Sequence, residues 1–190
     1  MILEGIVTTL NPDGTVNIAP MGPRVDEAMR SFVLTPFRTS TTYQNLKRHG
    51  EGVLHVTDDA LLFAQSAVGQ PDPLPQLVDA HAVRGKILAD ACRWYAFRVT
   101  DLNDREERTQ VFAKVVDVGD NRPFFGFNRG KHAVVEAAIL ATRIHLLPHG
   151  EILAQLESLR PLVEKTGGDR EHAAFQFLEA YIRTHLPKKD

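Results

Sequence analysis

The sequence predicts an α+β chain that is mainly β: a small antiparallel barrel followed by a helical C-terminal subdomain. Short apolar, β-branched runs recur through the first two thirds, each bounded by Gly, Pro, Asn or Asp. Val111, Ala113 and Val115 alternate with Phe112, Lys114 and Val116, the period of a sheet with two different faces. Near Asn128 the composition turns to Ala, Val, Ile and Leu at helical spacing. The expected division is residues 1–127 for the barrel and 128–190 for the helical subdomain.

Taken in order, Ile2 to Leu10 and Thr15 to Ala19 flank Asn11-Pro12-Asp13-Gly14, a hairpin signal. Pro20-Met21-Gly22-Pro23 stops the pairing, and Arg24 to Met29 reads as a loop. Ser31 to Thr35 is a short strand, a helix follows Thr42, and Glu51 to Thr57 is the next strand. Asp58-Asp59 can cap a short helix through Val68. Residues 69–80 hold three prolines and read as irregular. Extended segments over His81 to Leu102 and Arg108 to Gly119 complete the barrel. Lys131 to Leu147 is predicted helical and stopped by Pro148. A second helix carries Ile152 to Val163 with Pro161 as a kink or break, and a third begins at an Asp169 cap.

With 190 residues, 43% of them hydrophobic and 24% charged, the chain can bury a core without disulfides or metals. A formal charge of −2 provides no field for nucleic acid. No run approaches the ~20 apolar residues that span a bilayer. The start, MILEGIVTTLNPDG, lacks the pattern of a signal peptide, so a cytoplasmic protein is expected. Cys92 is the only cysteine and reads as an inert core thiol.

Chemistry concentrates in two stretches. Arg38 precedes four hydroxyl side chains, Thr39, Ser40, Thr41 and Thr42, at the start of a helix that also carries Asn45, Lys47 and Arg48. A helix start offers unpaired N–H groups and partial positive charge, which suit a phosphate; one of the hydroxyls can instead serve as an ordinary cap. The second stretch is Asn17-Ile18-Ala19-Pro20-Met21-Gly22, where a strand ends in small or soft side chains. It offers backbone groups to a planar ligand edge, or is simply a strand ended by proline.

Together these stretches, with the strand ending in His55-Val56-Thr57-Asp58, resemble the FMN-binding split barrel of the flavin reductase-like superfamily. Within it the sequence is most similar to an uncharacterised family, the domain of unknown function DUF447. Gly126-Phe127-Asn128-Arg129-Gly130-Lys131, leading into Glu136 to Arg143, resembles a second shared block of that family. The resemblance implies a homodimer with FMN near the interface. It implies phosphate contacts from Arg38, Thr39, Ser40, Thr41, Thr42 and Asn45. It further implies ring contacts from Asn17, Ala19, Pro20, Met21 and Gly22, and closure of the pyrimidine side by Val56, Thr57 and Asp58. Asn128 and Lys131 are added as donors, or act only as a cap and a solvated lysine.

The expected function is an FMN-dependent oxidoreductase passing hydride or electrons to a small acceptor, reduced by NAD(P)H or a reductase partner. The alternatives are a non-catalytic flavin carrier or sensor, or a split-barrel dimer holding another phosphorylated ligand. No Gly-x-Gly-x-x-Gly marks a separate dinucleotide-binding domain. His145 and His149 are broken apart by Pro148, and no metal site is expected. His132, Glu136 and Arg143 could wall the flavin but are expected as a partly buried ion-pair network, and Trp94 and Tyr95 as core or interface aromatics.

Overall fold

The computed structural model describes residues 1–186. The chain divides into two compact units, Met1–Thr57 with Pro75–Phe124, and Asp58–Leu74 with Phe125–Asp190. The helical unit therefore takes in Asp58–Leu74, which lies inside the span that the sequence assigns to the barrel.

In the barrel unit, β1 (Gly5–Leu10) and β2 (Val16–Met21) form the expected hairpin. β3 (Arg24–Val25) and β4 (Ser31–Leu34) follow, so the predicted loop at Arg24 contains a two-residue strand. α1 (Thr41–His49) leads to β5 (Glu51–Val56). β6 (Leu77–Asp79) and β7 (Lys86–Leu88) make a separate two-stranded ribbon, and β8 (Arg93–Asn103) and β9 (Gln110–Asp120) close the unit. The segment read as continuous from His81 is thus interrupted at Ala89–Cys92, where Ala91 N–H donates to the Leu88 carbonyl in a turn (3.1 Å). Likewise, β6 lies within the stretch read as irregular.

The seven-stranded sheet has the order β2-β1-β5-β8-β9-β4-β3, and every pair is antiparallel. Residues before β1 bring it round on itself: Ile2 bridges Arg24, and Leu3 N–H donates to the Pro23 carbonyl (3.1 Å). This is a split barrel with a helical C-terminal part, as predicted. Its core gathers Val7, Phe32, Leu34, Leu46, Leu54, Phe97 and Val111, all buried. Each such side chain stabilises by roughly 1.5–3 kcal/mol relative to exposure. Phe32 and Phe97 meet edge to face, centroids 5.1 Å apart.

The β8–β9 register shifts at Ala96/Phe97: Ala96 faces Asp117 while Phe97 faces Val115, leaving Val116 as the extra residue of a bulge. The alternation read from the sequence therefore holds only as far as Val115. Beyond the bulge, Val118 faces Tyr95. Trp94 lies over Gly119, where an added Cβ would come within 2.5 Å of the indole.

The helical unit contains α2 (Ala60–Val68), capped by Asp59 as predicted, and α3 (Arg129–Thr142), α4 (His149–Thr166) and α5 (Asp169–His185). α3 ends five residues before the expected Leu147. Arg143 N–H donates to the Leu140 carbonyl and Leu146 N–H to that of Arg143, tight turns that leave the α-helical path before Pro148. Pro148 then stands at the N-cap of α4. α4 runs through Pro161, because burial of Ile152, Leu156 and Val163 on one face outweighs one lost backbone hydrogen bond. α5 is capped at Gly168 rather than Asp169: Gly168 N–H donates to the Glu171 carboxylate (2.9 Å). The expected His132–Glu136–Arg143 network is not buried. His132 and Glu136 lie 3.8 Å apart with side chains 70% and 47% exposed, and Arg143 is exposed at the end of α3. No helix among the described residues is long and apolar enough to cross a membrane.

Candidate functional site

The hydroxyl run opens α1, as its composition requires. Ser40 is the N-cap: its Oγ accepts from Tyr43 N–H (3.2 Å) and donates to the Phe37 carbonyl (2.8 Å). Gly50 in the left-handed region (φ 68°) ends the helix, and Lys47, Arg48 and His49 in the last turn complement its dipole.

The four hydroxyls then divide by direction. Thr42 faces inward and accepts from the Asn17 amide (3.0 Å). Asn17 also donates to Thr9 Oγ1 (3.2 Å), and Asn45 donates to Thr9 Oγ1 (3.0 Å) and Asn11 Oδ1 (2.9 Å). Asn17, Thr42, Asn45 and Thr9 are all buried, so this network fastens α1 to the β1–β2 hairpin. The structure thus brings Asn17, Thr42 and Asn45 together, and gives them a structural task.

Thr39 and Thr41 point the other way. Both are exposed, and neither hydroxyl has a hydrogen-bond partner among the described residues. The Thr41 and Thr42 N–H groups, at the first positions of the helix, are likewise unpaired there, as helix geometry dictates. The Arg38 guanidinium is exposed and makes no ion pair with a described residue, while its carbonyl accepts from the Gln44 amide (2.8 Å). A cavity of about 400 Å³ opens here, lined by Thr39, Thr41 and Asn45 with Asn11, Gln44, Lys47 and Arg48.

Two of these cations are already engaged. Arg48 donates to the Leu10 carbonyl. Lys47 pairs with Asp104 (2.8 Å), which also accepts from the Tyr43 hydroxyl (2.6 Å). The Lys47 hydrogen bond, followed by that of Tyr43, holds the Asp104 carboxyl at about 2. Thr9, Asn11 and Gln44 were not singled out in the sequence. For Thr9 the signal was present, since a polar residue in an apolar hairpin strand is buried only with partners; Asn11 and the exposed Gln44 gave none.

Ala19, Pro20 and Met21 end β2, and Gly22 follows. β2 is the last strand of its sheet, so one row of its backbone groups has no strand neighbour, and Pro20 is tolerated there. Met21 packs on the barrel core from its half-buried position. Val56, half-buried, ends β5, and its carbonyl accepts from Cys92 N–H (2.9 Å). Thr57 closes the barrel unit's first segment.

His55, one residue earlier, is fully buried: Nδ1 meets the Ile6 carbonyl (3.1 Å) and Nε2 accepts from Leu88 N–H (3.1 Å). Burial, only partly offset by the Ile6 carbonyl, lowers its pKa to about 4, so the ring is neutral. It joins β1, β5 and β7.

The remaining predicted residues belong to the helical unit. Asp58 Oδ2 accepts from Phe125 N–H (2.8 Å). Asn128 caps α3, accepting from Lys131 N–H (3.0 Å) and donating to the Thr166 carbonyl (2.8 Å). Lys131 Nζ donates to the Asp58 carbonyl and to Glu171 Oε1, both at 2.7 Å. Burial pushes the Glu171 carboxyl up, but Lys131 and the Gly168 N–H outweigh it and its pKa lies below the usual value. Lys131 is therefore not a solvated lysine, and its charge has a fixed partner.

The model of the N-terminal domain of the protein family of unknown function DUF447 matches residues 3–122, and that of the family's C-terminal domain matches 128–180. Among solved structures, the FMN-bound protein MM1853 from Methanosarcina mazei, a DUF447 protein, is 25% identical with a TM-score of 0.81, covering 95% of this chain and 94% of its own. The flavin reductase of styrene monooxygenase from Pseudomonas putida S12 is 14% identical (TM-score 0.53; 63% of this chain, 80% of its own). An FMN-binding protein from Thermus thermophilus is 13% identical (TM-score 0.54; 63% and 70%). The last two share the fold alone.

Proposed function

Because the chain belongs to the DUF447 family, we propose that it is an FMN-binding flavoprotein and an oxidoreductase of the flavin reductase-like kind. The observation that carries this is the set of donors left uncommitted where α1 begins: the Arg38 guanidinium, the Thr39 and Thr41 hydroxyls, and the Thr41 and Thr42 N–H groups. All are donors, one is cationic, and they cluster at the positive end of a helix, which is the chemistry of a phosphate monoester site. The 25% identity to an FMN-bound relative over 95% of the chain supports the choice of FMN over other phosphorylated ligands.

In this reading Thr42, Asn45 and Asn17 keep the phosphate-binding turn in place from beneath, and Ser40 holds its cap. Ala19, Pro20, Met21 and Gly22 present the open edge of β2 to the flavin ring, with Val56 and Thr57 on the pyrimidine side. Asn128 and Lys131 stay in their structural roles. Bound FMN supplies hydride or electron transfer; the chain positions it and sets its polarity. The working form is a cytoplasmic homodimer, whose second copy covers exposed aromatics such as Phe37 and Phe112. NAD(P)H or a reductase partner supplies the electrons.

The test is the absorption spectrum of purified protein before and after loading with FMN and gel filtration. About one flavin retained per chain is expected, followed by anaerobic bleaching on reduction and recovery with an acceptor. A protein that retains no flavin overturns the reading. One that retains flavin without turning over with any reductant favours a carrier.

A further inference from the structure

The barrel unit holds a second cavity, of about 310 Å³, lined by different residues from the one beside α1. Tyr95 forms part of its wall. This residue is only 7% exposed, and its ring belongs to the core with Phe97 and Val111. Its hydroxyl has no hydrogen-bond partner among the described residues. The ring is buried while the hydroxyl is not sealed from solvent, so the cavity is where a partner reaches it.

The wall around it is built rather than incidental. The Val116 bulge turns Val118 to the same side as Tyr95, so Val115 and Val118 both line the cavity. Opposite, the Asp26 carboxylate fastens the turn by accepting from Arg30 N–H (3.0 Å), Ser31 N–H (2.9 Å) and Ser31 Oγ (2.7 Å). The Arg30 carbonyl accepts from Val115 N–H (2.9 Å), which ties the turn to β9. Within it Met29 is held at φ 52°, a conformation that costs a non-glycine residue energy and recurs at ligand clamps.

The charged groups are of two kinds. Arg93 lies 5.5 Å from the Tyr95 ring centroid but is paired with Asp120 (3.1 Å). The Arg30 guanidinium makes no ion pair with a described residue, and Glu27 is the one carboxylate of the lining. Donors outnumber acceptors, and the remaining lining is apolar. Burial raises the Tyr95 pKa, which keeps its hydroxyl a proton donor.

We propose that this cavity binds a small planar apolar molecule carrying a carbonyl or carboxylate oxygen. Tyr95 and Arg30 donate to that oxygen, while Met29, Val115 and Val118 cover the ring. The site is distinct from the flavin site and does not depend on it.

The three tyrosines of the chain make the test direct. Protein with ring-labelled tyrosine is titrated with benzoate, with acetophenone, and with benzylamine, which has a ring and no acceptor oxygen. The Tyr95 signal, assigned by its loss in Tyr95→Phe, is expected to shift saturably with benzoate or acetophenone and not with benzylamine. By calorimetry, Tyr95→Phe and Arg30→Gln should each weaken benzoate about tenfold, the loss of one charge-assisted hydrogen bond. Tighter benzoate assigns a carboxylate ligand; tighter acetophenone assigns a neutral carbonyl. The proposal is overturned if neither probe shifts Tyr95, if benzylamine binds equally, or if Tyr95→Phe binds unchanged. It is also overturned if saturating FMN displaces the probe, since the cavity would then be part of the flavin site. Failure to retain FMN leaves this test intact, so the two readings fail separately.

Discussion

The starts of α1 and α3 are built from similar residues, with an N-capping Ser or Asn, a basic side chain nearby, and amides or hydroxyls beneath. At α3 the two predicted site residues, Asn128 and Lys131, each have a protein partner. Asn128 caps the helix and reaches Thr166, while Lys131 is shared between the Asp58 carbonyl and Glu171. At α1 only the inward residues are satisfied, and Arg38, Thr39 and Thr41 keep their donors. The contrast makes α1 the better candidate for a ligand site, on the hydrogen bonds left over once the fold is satisfied more than on the presence of donors. At α3 the Gly130 and Lys131 N–H groups are also taken, by Thr166 Oγ1 and Asn128 Oδ1, which leaves the exposed Arg129 as an uncommitted side chain; at α1 two hydroxyls and two N–H groups stay open beside an arginine.

The largest effect expected is at His55, the most fully committed polar side chain of the barrel unit. Its folded pKa of about 4 lies below the ordinary 6.5. The unfolded chain therefore binds more protons between those values, and stability is complete above the upper one. Stability falls as pH drops through this window, by on the order of 3 kcal/mol from this group. Urea denaturation across the window should show that slope, and His55→Gln should flatten it. A ring that titrates near its ordinary value by NMR would break the assignment.

Lys131→Met comes next. It leaves the Glu171 side chain, 8% exposed, without its cation, at a cost of about 2–3 kcal/mol in denaturant-measured stability. FMN affinity should not change. Weaker FMN with unchanged stability would make the α3 start a ligand site and dissolve the contrast.

Arg38→Ala should do the reverse, weakening FMN by about 1.5–3 kcal/mol in a fluorescence titration while leaving the denaturation midpoint unchanged. The smallest effect is at the paired threonines. Thr41→Val should cost about 1 kcal/mol of FMN binding, through one lost hydroxyl donor, and little stability. Thr42→Val should cost a similar amount of stability, because it leaves the Asn17 amide one acceptor short. If the two substitutions act alike, the inward–outward division of the run is wrong.

Much of this was legible in the sequence for local reasons. The Asn11–Gly14 turn, the Asp59 cap and the change of period near Asn128 are written in short-range residue patterns, and the structure follows them. The phosphate-site candidates were also visible, because a run of hydroxyls after an arginine exceeds what one cap needs. The helix through Pro161, the early end of α3 and the Val116 bulge were not, since packing decides them over local preference.

The sequence by itself determined the fold class, the order of the longer strands and helices, and the stretch where hydrogen-bond donors concentrate, because these rest on periodicity and turn chemistry within a few residues. Tertiary structure alone decided which donors remain available. Whether Thr42 is a buried acceptor and Thr41 an open donor depends on Asn17, twenty-five residues from Thr42 along the chain and 3.0 Å away across the fold. Whether Lys131 is available depends in the same way on Glu171, forty residues on. Satisfaction of a polar group is a property of its neighbours in space, and only folding supplies those.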